Sequence, residues 1–151
     1  MKKVSKNKGF TLIEILVVIG IIAILAGIVI VAINPARQFA QARNSQRLSN
    51  INTILNAVGQ NMADNKGVWN CGSLYFSGSS ASTTIGTGGS DLATCLVPTY
   101  IPSGIPQDPS SGTSVDTKYQ ISTTTTGIVM ICAPLSSEPA LGFPTPLCVM
   151  R

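Results

Sequence analysis

The apolar positions of the chain concentrate in one block near the N-terminus. Within residues 10–33, 20 of 24 side chains are apolar, and the exceptions are Thr11, Glu14, Gly20 and Gly27. A helix of this length rises roughly 36 Å, which exceeds the ~30 Å hydrocarbon core of a bilayer. The pattern therefore predicts a membrane-spanning helix over residues 10–33.

The next segment has the pattern of an amphipathic helix. Its apolar side chains recur at steps of three and four residues, at Leu48, Ile51, Leu55, Val58 and Met62. Asn34-Pro35 precedes this pattern, and proline interrupts a helix because it lacks an amide hydrogen and disfavours helical geometry in the residue before it. Lys66-Gly67 is typical of a helix end. We predict an amphipathic extension of the helix over residues 34–66.

The middle of the chain is predicted to be rich in loops, over residues 67–117. Twelve of the 14 residues in 77–90 are Ser, Thr or Gly, which is typical of a flexible surface loop. O-glycosylation or contact specificity is the functional alternative for this stretch. Eight of the nine prolines lie at or after Pro98, which disfavours helix in the second half of the chain.

Signals for β-strands come late in the sequence. Residues 118–122 alternate apolar and polar side chains, residues 127–133 form an apolar run, and residues 146–150 are the third candidate strand. Residues 118–151 are therefore predicted to form an antiparallel sheet with a tail. A long helix, transmembrane in its first half, packed on a small C-terminal sheet gives an α+β fold.

Glu14 is unusual for a plain membrane anchor. A carboxylate near the centre of a bilayer costs about 2.5–3.5 kcal/mol and less near its edge, so an intramembrane acid indicates function unless it reaches interfacial water. A cleaved secretory signal is the other alternative. The apolar stretch of such a signal is shorter than the one in this chain. Asn34-Pro35 also stands where a signal would have small residues, so this alternative is disfavoured.

The composition argues against an enzyme. Histidine is absent, which removes Ser-His-Asp and Cys-His catalysis and histidine-liganded zinc. The cysteines contain no CxxC pair, so zinc is not expected. We predict a protein with no catalytic residues, no metal and no cofactor.

Residues 6–14, Lys-Asn-Lys-Gly-Phe-Thr-Leu-Ile-Glu, resemble the processing signal of type IV prepilins and pseudopilins. That signal has a basic leader, Gly, Phe, three residues, Glu and then an apolar helix. The resemblance implies that residues 1–9 are a leader, that a prepilin peptidase cuts after Gly9, and that the new amine of Phe10 is methylated. It also implies that Glu14 pairs with the Phe10 amine of a neighbouring subunit during assembly.

The resemblance implies a structural subunit of a type IV pilus or a related helical filament, built from copies of this chain and other pilins. Its partners would include prepilin peptidase, an assembly ATPase and a membrane platform protein. It would cross the bacterial inner membrane once, with the C-terminal domain outside. The alternative is a pseudopilin of a type II secretion or DNA-uptake system, and a more distant one is a membrane-anchored extracellular binding module.

The basic charge belongs to the leader. The chain has 10 Lys+Arg against 6 Asp+Glu and a pI near 9.0, which would ordinarily indicate an acidic partner. Four of these cations, Lys2, Lys3, Lys6 and Lys8, precede the expected cut, so the mature side chains balance at 6 against 6. No specific nucleic-acid partner is therefore expected. Arg37, Arg43 and Arg47 follow the membrane segment, and a solvated or lipid-facing role competes there with DNA binding.

Four cysteines in an exported domain favour two disulfides. Cys71, Cys95, Cys132 and Cys148 allow three connectivities, between which the sequence does not choose. We favour 71–95 and 132–148, each closing a local loop, and the second would tie the tail to the central strand as in many type IV pilins. Four free thiols in a reducing compartment are the alternative.

Residues 106–109, Pro-Gln-Asp-Pro, loosely resemble the Asp-Pro loop of major type II pseudopilins, some of which bind calcium. Asp108 and Asp116 supply two carboxylates, whereas Ca²⁺ takes six to eight oxygen ligands. We therefore favour a turn built on Asp-Pro.

Overall fold

A computed structural model describes residues 9–69, 71, 82–124, 127–142 and 145–151. The chain forms two units, Met1–Gln38 and Phe39–Arg151.

The apolar block forms helix α1, Leu12–Ala32, and none of its side chains is buried. Ile33 leaves helical geometry with an extended backbone (φ −92°, ψ 115°). The side-chain Oδ1 of Asn34 then accepts the amide of Arg37 at 3.2 Å, and Pro35 is the first residue of the next helix. Asparagine before a proline in the first helical position is a favourable start, because that proline loses no intrahelical hydrogen bond. The helix therefore restarts at the Asn34-Pro35 step.

Helix α2 spans Pro35–Asp64 and packs against the sheet with its apolar face. It ends where Lys66 adopts a left-handed conformation (φ 58°) and the amide of Gly67 donates to the carbonyl of Met62 at 2.7 Å. This is the hydrogen bond of a Schellman motif. The end lies two residues before the predicted one.

The buried face of α2 differs in part from the predicted stripe. Ile51, Leu55 and Val58 are buried as expected, but Leu48 is 43% exposed. Ile54 and Ala57 are buried in addition. The core-facing side is therefore centred further round the helix than the stripe indicated.

Four antiparallel strands form one sheet in the order β1-β2-β3-β4. Their bounds are Thr83–Thr84 for β1, Gln120–Thr123 for β2, Val129–Ala133 for β3 and Leu147–Met150 for β4. The last three strands confirm the predicted C-terminal sheet, with bounds that differ from the predicted ones by at most two residues. The α+β arrangement of helix on sheet is thus the one the sequence predicts.

The core lies between α2 and the inner face of the sheet. Tyr119, Ile121 and Ile131 contribute from the sheet side, and all three are buried. Leu92 and Leu96 add to the core from a short helix, α3, Ala93–Leu96, and its flank. α3 lies in the region predicted to be loops.

The described part of the Ser/Thr/Gly stretch, residues 82–90, is not the flexible loop that its composition indicates. β1 pairs with β2, and Ile85 is fully buried. The backbone packs so closely that a Cβ on Gly86 would lie 2.4 Å from the carbonyl oxygen of Val115, and one on Gly89 would lie 2.3 Å from that of Thr84. Glycine here allows close packing. Residues 77–81 lie outside the described part of the chain.

Candidate functional site

The candidate site is the start of α1, where the expected cleavage point and Glu14 lie close together. Thr11 is the N-cap residue, and its Oγ1 accepts the amide of Glu14 at 3.3 Å. Glu14 reaches back, and its Oε2 accepts the Thr11 amide at 2.8 Å and the Thr11 hydroxyl at 2.7 Å. This reciprocal arrangement is a capping box, which satisfies amides that the first turn of a helix leaves without partners.

The site is open to solvent or to a partner. Gly9 and Glu14 are exposed, and Phe10 is 84% exposed. Both side-chain acceptor contacts of Glu14 are made by Oε2, so within the described residues Oε1 is available for another donor. The geometry thus leaves the Gly9–Phe10 peptide bond accessible and presents a carboxylate one helical turn beyond it.

Thr11 is the residue that sequence reasoning missed at this site. A signal for it exists, because Thr11-Leu-Ile-Glu14 is the Thr-x-x-Glu pattern of a capping box before an apolar run. By composition alone, Thr11 is only a polar exception in an apolar block. In the structure Thr11 holds Glu14 in place.

The helix that follows is long and apolar enough to cross a membrane. α1 has 21 residues, of which 18 carry apolar side chains, and none of them is buried. So many apolar side chains facing outward in water would be strongly unfavourable. A bilayer, or contact with other apolar helices, is the environment that such a surface requires.

A second polar cluster lies around Arg47 in the unit Phe39–Arg151, which we call the head. This side chain is only 1% exposed, and its guanidinium bonds to two carboxylates: Nε to Asp108 Oδ2 at 2.6 Å and Nη1 to Glu138 Oε1 at 2.7 Å. Asn44 Oδ1 accepts from Nη1 at 2.8 Å, and Ser110 Oγ accepts from Nη2 at 2.7 Å. The cluster joins α2 to the loop at Asp108 and to the segment after β3.

Arg43 extends this cluster by one helical turn. Its Nε and Nη2 each donate to one oxygen of Glu138, both at 2.8 Å, in the two-pronged geometry that arginine favours with carboxylates. These bonds, followed by those from Arg47, lower the pKa of Glu138 to about 2. Burial opposes ionisation of Asp108, but the Arg47 and Ser110 hydrogen bonds outweigh it, and the pKa of Asp108 is also lowered.

These contacts change the interpretation of two sequence features. Arg47 is a buried structural cation, and Arg43 is held by Glu138, so the expectation of a solvated, lipid-facing or DNA-binding cluster is wrong for Arg47. Asp108 forms the expected turn, since its Oδ1 accepts the amide of Ser110 at 2.8 Å. The sequence carries no local sign that Glu138 meets these arginines, because 91 residues separate it from Arg47.

The cysteines form two disulfides, Cys71–Cys95 and Cys132–Cys148, with Sγ–Sγ distances of 2.02 and 2.08 Å. Cys132 and Cys148 stand directly opposite each other on β3 and β4. Their Cα atoms are 4.1 Å apart, close to the spacing of non-hydrogen-bonded antiparallel pairs. The second bond thus ties the C-terminal edge strand to its neighbour in the sheet.

The N-terminal geometry coincides with a known family signature. The family model described as the prokaryotic N-terminal methylation motif matches residues 4–30. The chain carries this methylation motif. Gly9, Phe10, Thr11 and Glu14 all lie within it, and it confirms the resemblance to prepilin signals, since the motif is typical of type IV pilins and pseudopilins. No curated protein and no solved structure matches the chain.

The methylation motif and the layout of the fold point in the same direction. The apolar helix α1 lies almost entirely within the motif, and this combination is consistent with an inner-membrane prepilin. A long helix packed on an antiparallel sheet is the pilin-like layout. Together they suggest a structural subunit of the type IV pilin family.

Proposed function

We propose that this chain is a filament subunit of a type IV pilus or a related filament, made competent by removal of residues 1–9 and methylation of the Phe10 amine. The observation that carries the proposal is the methylation motif over residues 4–30, which includes most of an apolar helix with no buried side chain. Prepilin peptidase, an assembly ATPase, a membrane platform protein and other pilins would be its partners.

The charge of Glu14 supplies the physical reason for assembly. Cleavage after Gly9 creates a positive amine on Phe10, and in an apolar filament core an unpaired carboxylate is very costly. An amine from a neighbouring copy neutralises Glu14, whose Oε1 is free of described partners. Because this contact joins different patches of two identical chains, it does not close, and repetition generates an open helical fibre.

A pseudopilin of a type II secretion or DNA-uptake system is the second candidate. The Asp108-Pro109 turn, loosely similar to the Asp-Pro loop of major type II pseudopilins, favours it. The two disulfides favour the pilus. Both candidates share the processing step and the Glu14 contact. A membrane-anchored binding module that is never cut is the more distant alternative.

The processing step is tested by co-expression with a prepilin peptidase. We expect the intact mass to fall by the nine leader residues and to rise by one methyl group on Phe10, whereas expression without the peptidase leaves the chain uncut. An uncut product in the presence of active peptidase would contradict the proposal and support a simple anchor.

The assembly step is tested with Glu14→Ala in a strain that supplies the whole assembly machinery. We expect normal cleavage but no fibres in the sheared fraction, because the neighbouring amine loses its partner. Ile13→Ala is the matched control, since it shortens an exposed first-turn side chain and keeps the carboxylate. A wild-type fibre yield from Glu14→Ala would overturn the assigned role.

A further inference from the structure

Among the described residues of the head, Phe39 is a large aromatic side chain that the fold leaves uncovered. Phe39, near the start of α2, is 67% exposed, although the residue after it, Ala40, is fully buried. An aromatic side chain of this exposure keeps most of its apolar area in water, and burying it elsewhere is favourable.

A groove lies on another side of the same helix. Its volume is about 470 Å³, and the described residues that line it are uncharged: Gln41, Asn44, Ser45, Leu48, Ser136, Leu141 and Leu147. The three leucines provide the apolar surface, and the polar residues provide a rim. The 43% exposure of Leu48, which the amphipathic pattern did not predict, is explained by its position in this groove.

Phe39 and the groove face in nearly opposite directions. At roughly 100° per residue, the α2 residues that line the groove centre about 170° around the axis from Phe39. The aromatic side chain of one molecule therefore does not reach its own groove. When a second copy lies beside the first in the same orientation, Phe39 of the second copy faces the groove of the first.

We propose that, in the filament, Phe39 of one copy docks into this groove of the next copy. The inference rests on the proposed function. The contact joins two different patches, so it propagates from copy to copy without closing, as a filament requires. None of the described residues that line the groove is ionised, so filling the groove with an aromatic side chain removes no charge of the lining from water.

This contact implies a displacement between neighbouring copies. The α2 groove residues lie two to nine positions beyond Phe39, or roughly 3 to 14 Å along the helix. Neighbouring copies are therefore offset along α2 by about that distance.

The area involved favours a filament neighbour over a dimer in solution. One aromatic side chain buries about 150–250 Å², whereas a stable interface buries roughly 1,200–2,000 Å² in total. The contact is thus too small to hold two copies together alone. It is suited to orienting heads that the apolar α1 helices already bring together.

The test uses the full chain with a photo-crosslinker, p-benzoylphenylalanine, in place of Phe39, in cells that assemble the filament. Irradiated fibres are sheared, and mass spectrometry identifies the crosslinked peptides. We expect crosslinks between residue 39 of one copy and residues 41–48 or 136–147 of another. The same crosslinker at Val68, which is equally exposed at 65%, is the matched control and should not give this product. Adding Glu14→Ala should abolish the crosslink together with the fibres.

Mutations probe the contact from both sides. Phe39→Ala should lower fibre yield by about tenfold, a loss typical of one buried anchor side chain. Ser45→Phe, which fills the groove from within, should cause a similar loss, and combining the two should add little, since both remove one contact. Val68→Ala should leave the yield unchanged.

Three outcomes would overturn the inference. Crosslinks from residue 39 to lipid or to another surface, in fibres that form normally, would reject this contact and leave the proposed function intact. Additive losses in the double variant would reject the pairing in the same way. Failure of the wild-type chain to be cut or to form fibres would reject the proposed function, and this inference with it.

Discussion

Replacing Arg47 by methionine is the sharpest test of how the head is held together. The change removes the guanidinium but keeps an apolar stem of similar length. Asp108 loses its two bonds to Arg47, at 2.6 and 3.4 Å, and keeps the Ser110 amide. Glu138 keeps only its two hydrogen bonds from Arg43. A buried carboxylate is thus left without its countercharge.

The structure gives the expected magnitude in two ways. Removing one partner of a buried ion pair costs about 3–5 kcal/mol. The pKa of Glu138, lowered from 4.5 to about 2 first by Arg43 and then by Arg47, sets an upper bound of roughly 3 kcal/mol on the part that the two arginines share through this carboxylate. We therefore expect Arg47→Met to lower the free energy of unfolding by about 3–5 kcal/mol, out of a typical total of ~5–15.

The assay is urea unfolding of the full chain in detergent, followed by fluorescence. Trp69 is the single tryptophan of the chain and packs against the core, so its emission reports the head. Arg37→Met is the matched control, because this exposed arginine lies on the same helix, and we expect a change within about 0.5 kcal/mol. Arg47→Met combined with Asp108→Asn should recover part of the loss, since it removes the orphaned charge while keeping the turn.

The effect should depend on pH with a definite sign. The folded pKa of Glu138 is below its ordinary value, so its stabilisation is complete above pH 4.5 and disappears as the pH falls towards 2. The pKa of Asp108 is also lowered, so its contribution to stability is likewise lost as the pH falls. The difference between wild type and Arg47→Met should therefore be smaller at pH 3 than at pH 7. Two results would contradict the role of Arg47 as the countercharge of Asp108 and Glu138. One is a loss of unfolding free energy below about 1 kcal/mol at pH 7. The other is a difference between wild type and Arg47→Met that does not change with pH.

Two further predictions concern the head. Peptide mass spectrometry without reduction should recover the linked pairs Cys71–Cys95 and Cys132–Cys148, and four free thiols or crossed pairs would contradict the structure. Gly86→Ala should destabilise the head by about 2 kcal/mol or more, because its φ of 146° and the nearby Val115 carbonyl leave no room for a Cβ. Gly59→Ala in α2, where a Cβ meets only Arg151 at 3.7 Å, should instead stabilise it by up to about 1 kcal/mol in the same unfolding assay. Equal losses at both glycines would show that the packing argument is wrong.

The sequence was most informative where structure depends on near neighbours. The apolar block of α1, the break at Asn34-Pro35 and the strands after residue 118 follow from periodicity and from proline, which act within a few residues. The capping box of Thr11 and Glu14 also depends on near neighbours, and the Thr-x-x-Glu pattern is its signal in the sequence. The prediction of a flexible loop was wrong for residues 82–90. Glycine composition indicates flexibility but does not reveal that Gly86 and Gly89 lie against other backbone.

Contacts between residues far apart in the chain depend on the tertiary structure. Arg47 and Glu138 are 91 positions apart, and nothing near either of them in the sequence shows that they meet. The groove beside Leu48 exists because Leu141 and Leu147 are folded against α2. The processing motif, the apolar helix and the class of fold could be predicted, since they follow from local pattern. Which charges are buried and where a groove forms depend on contacts between distant segments, and these contacts cannot be predicted from local pattern.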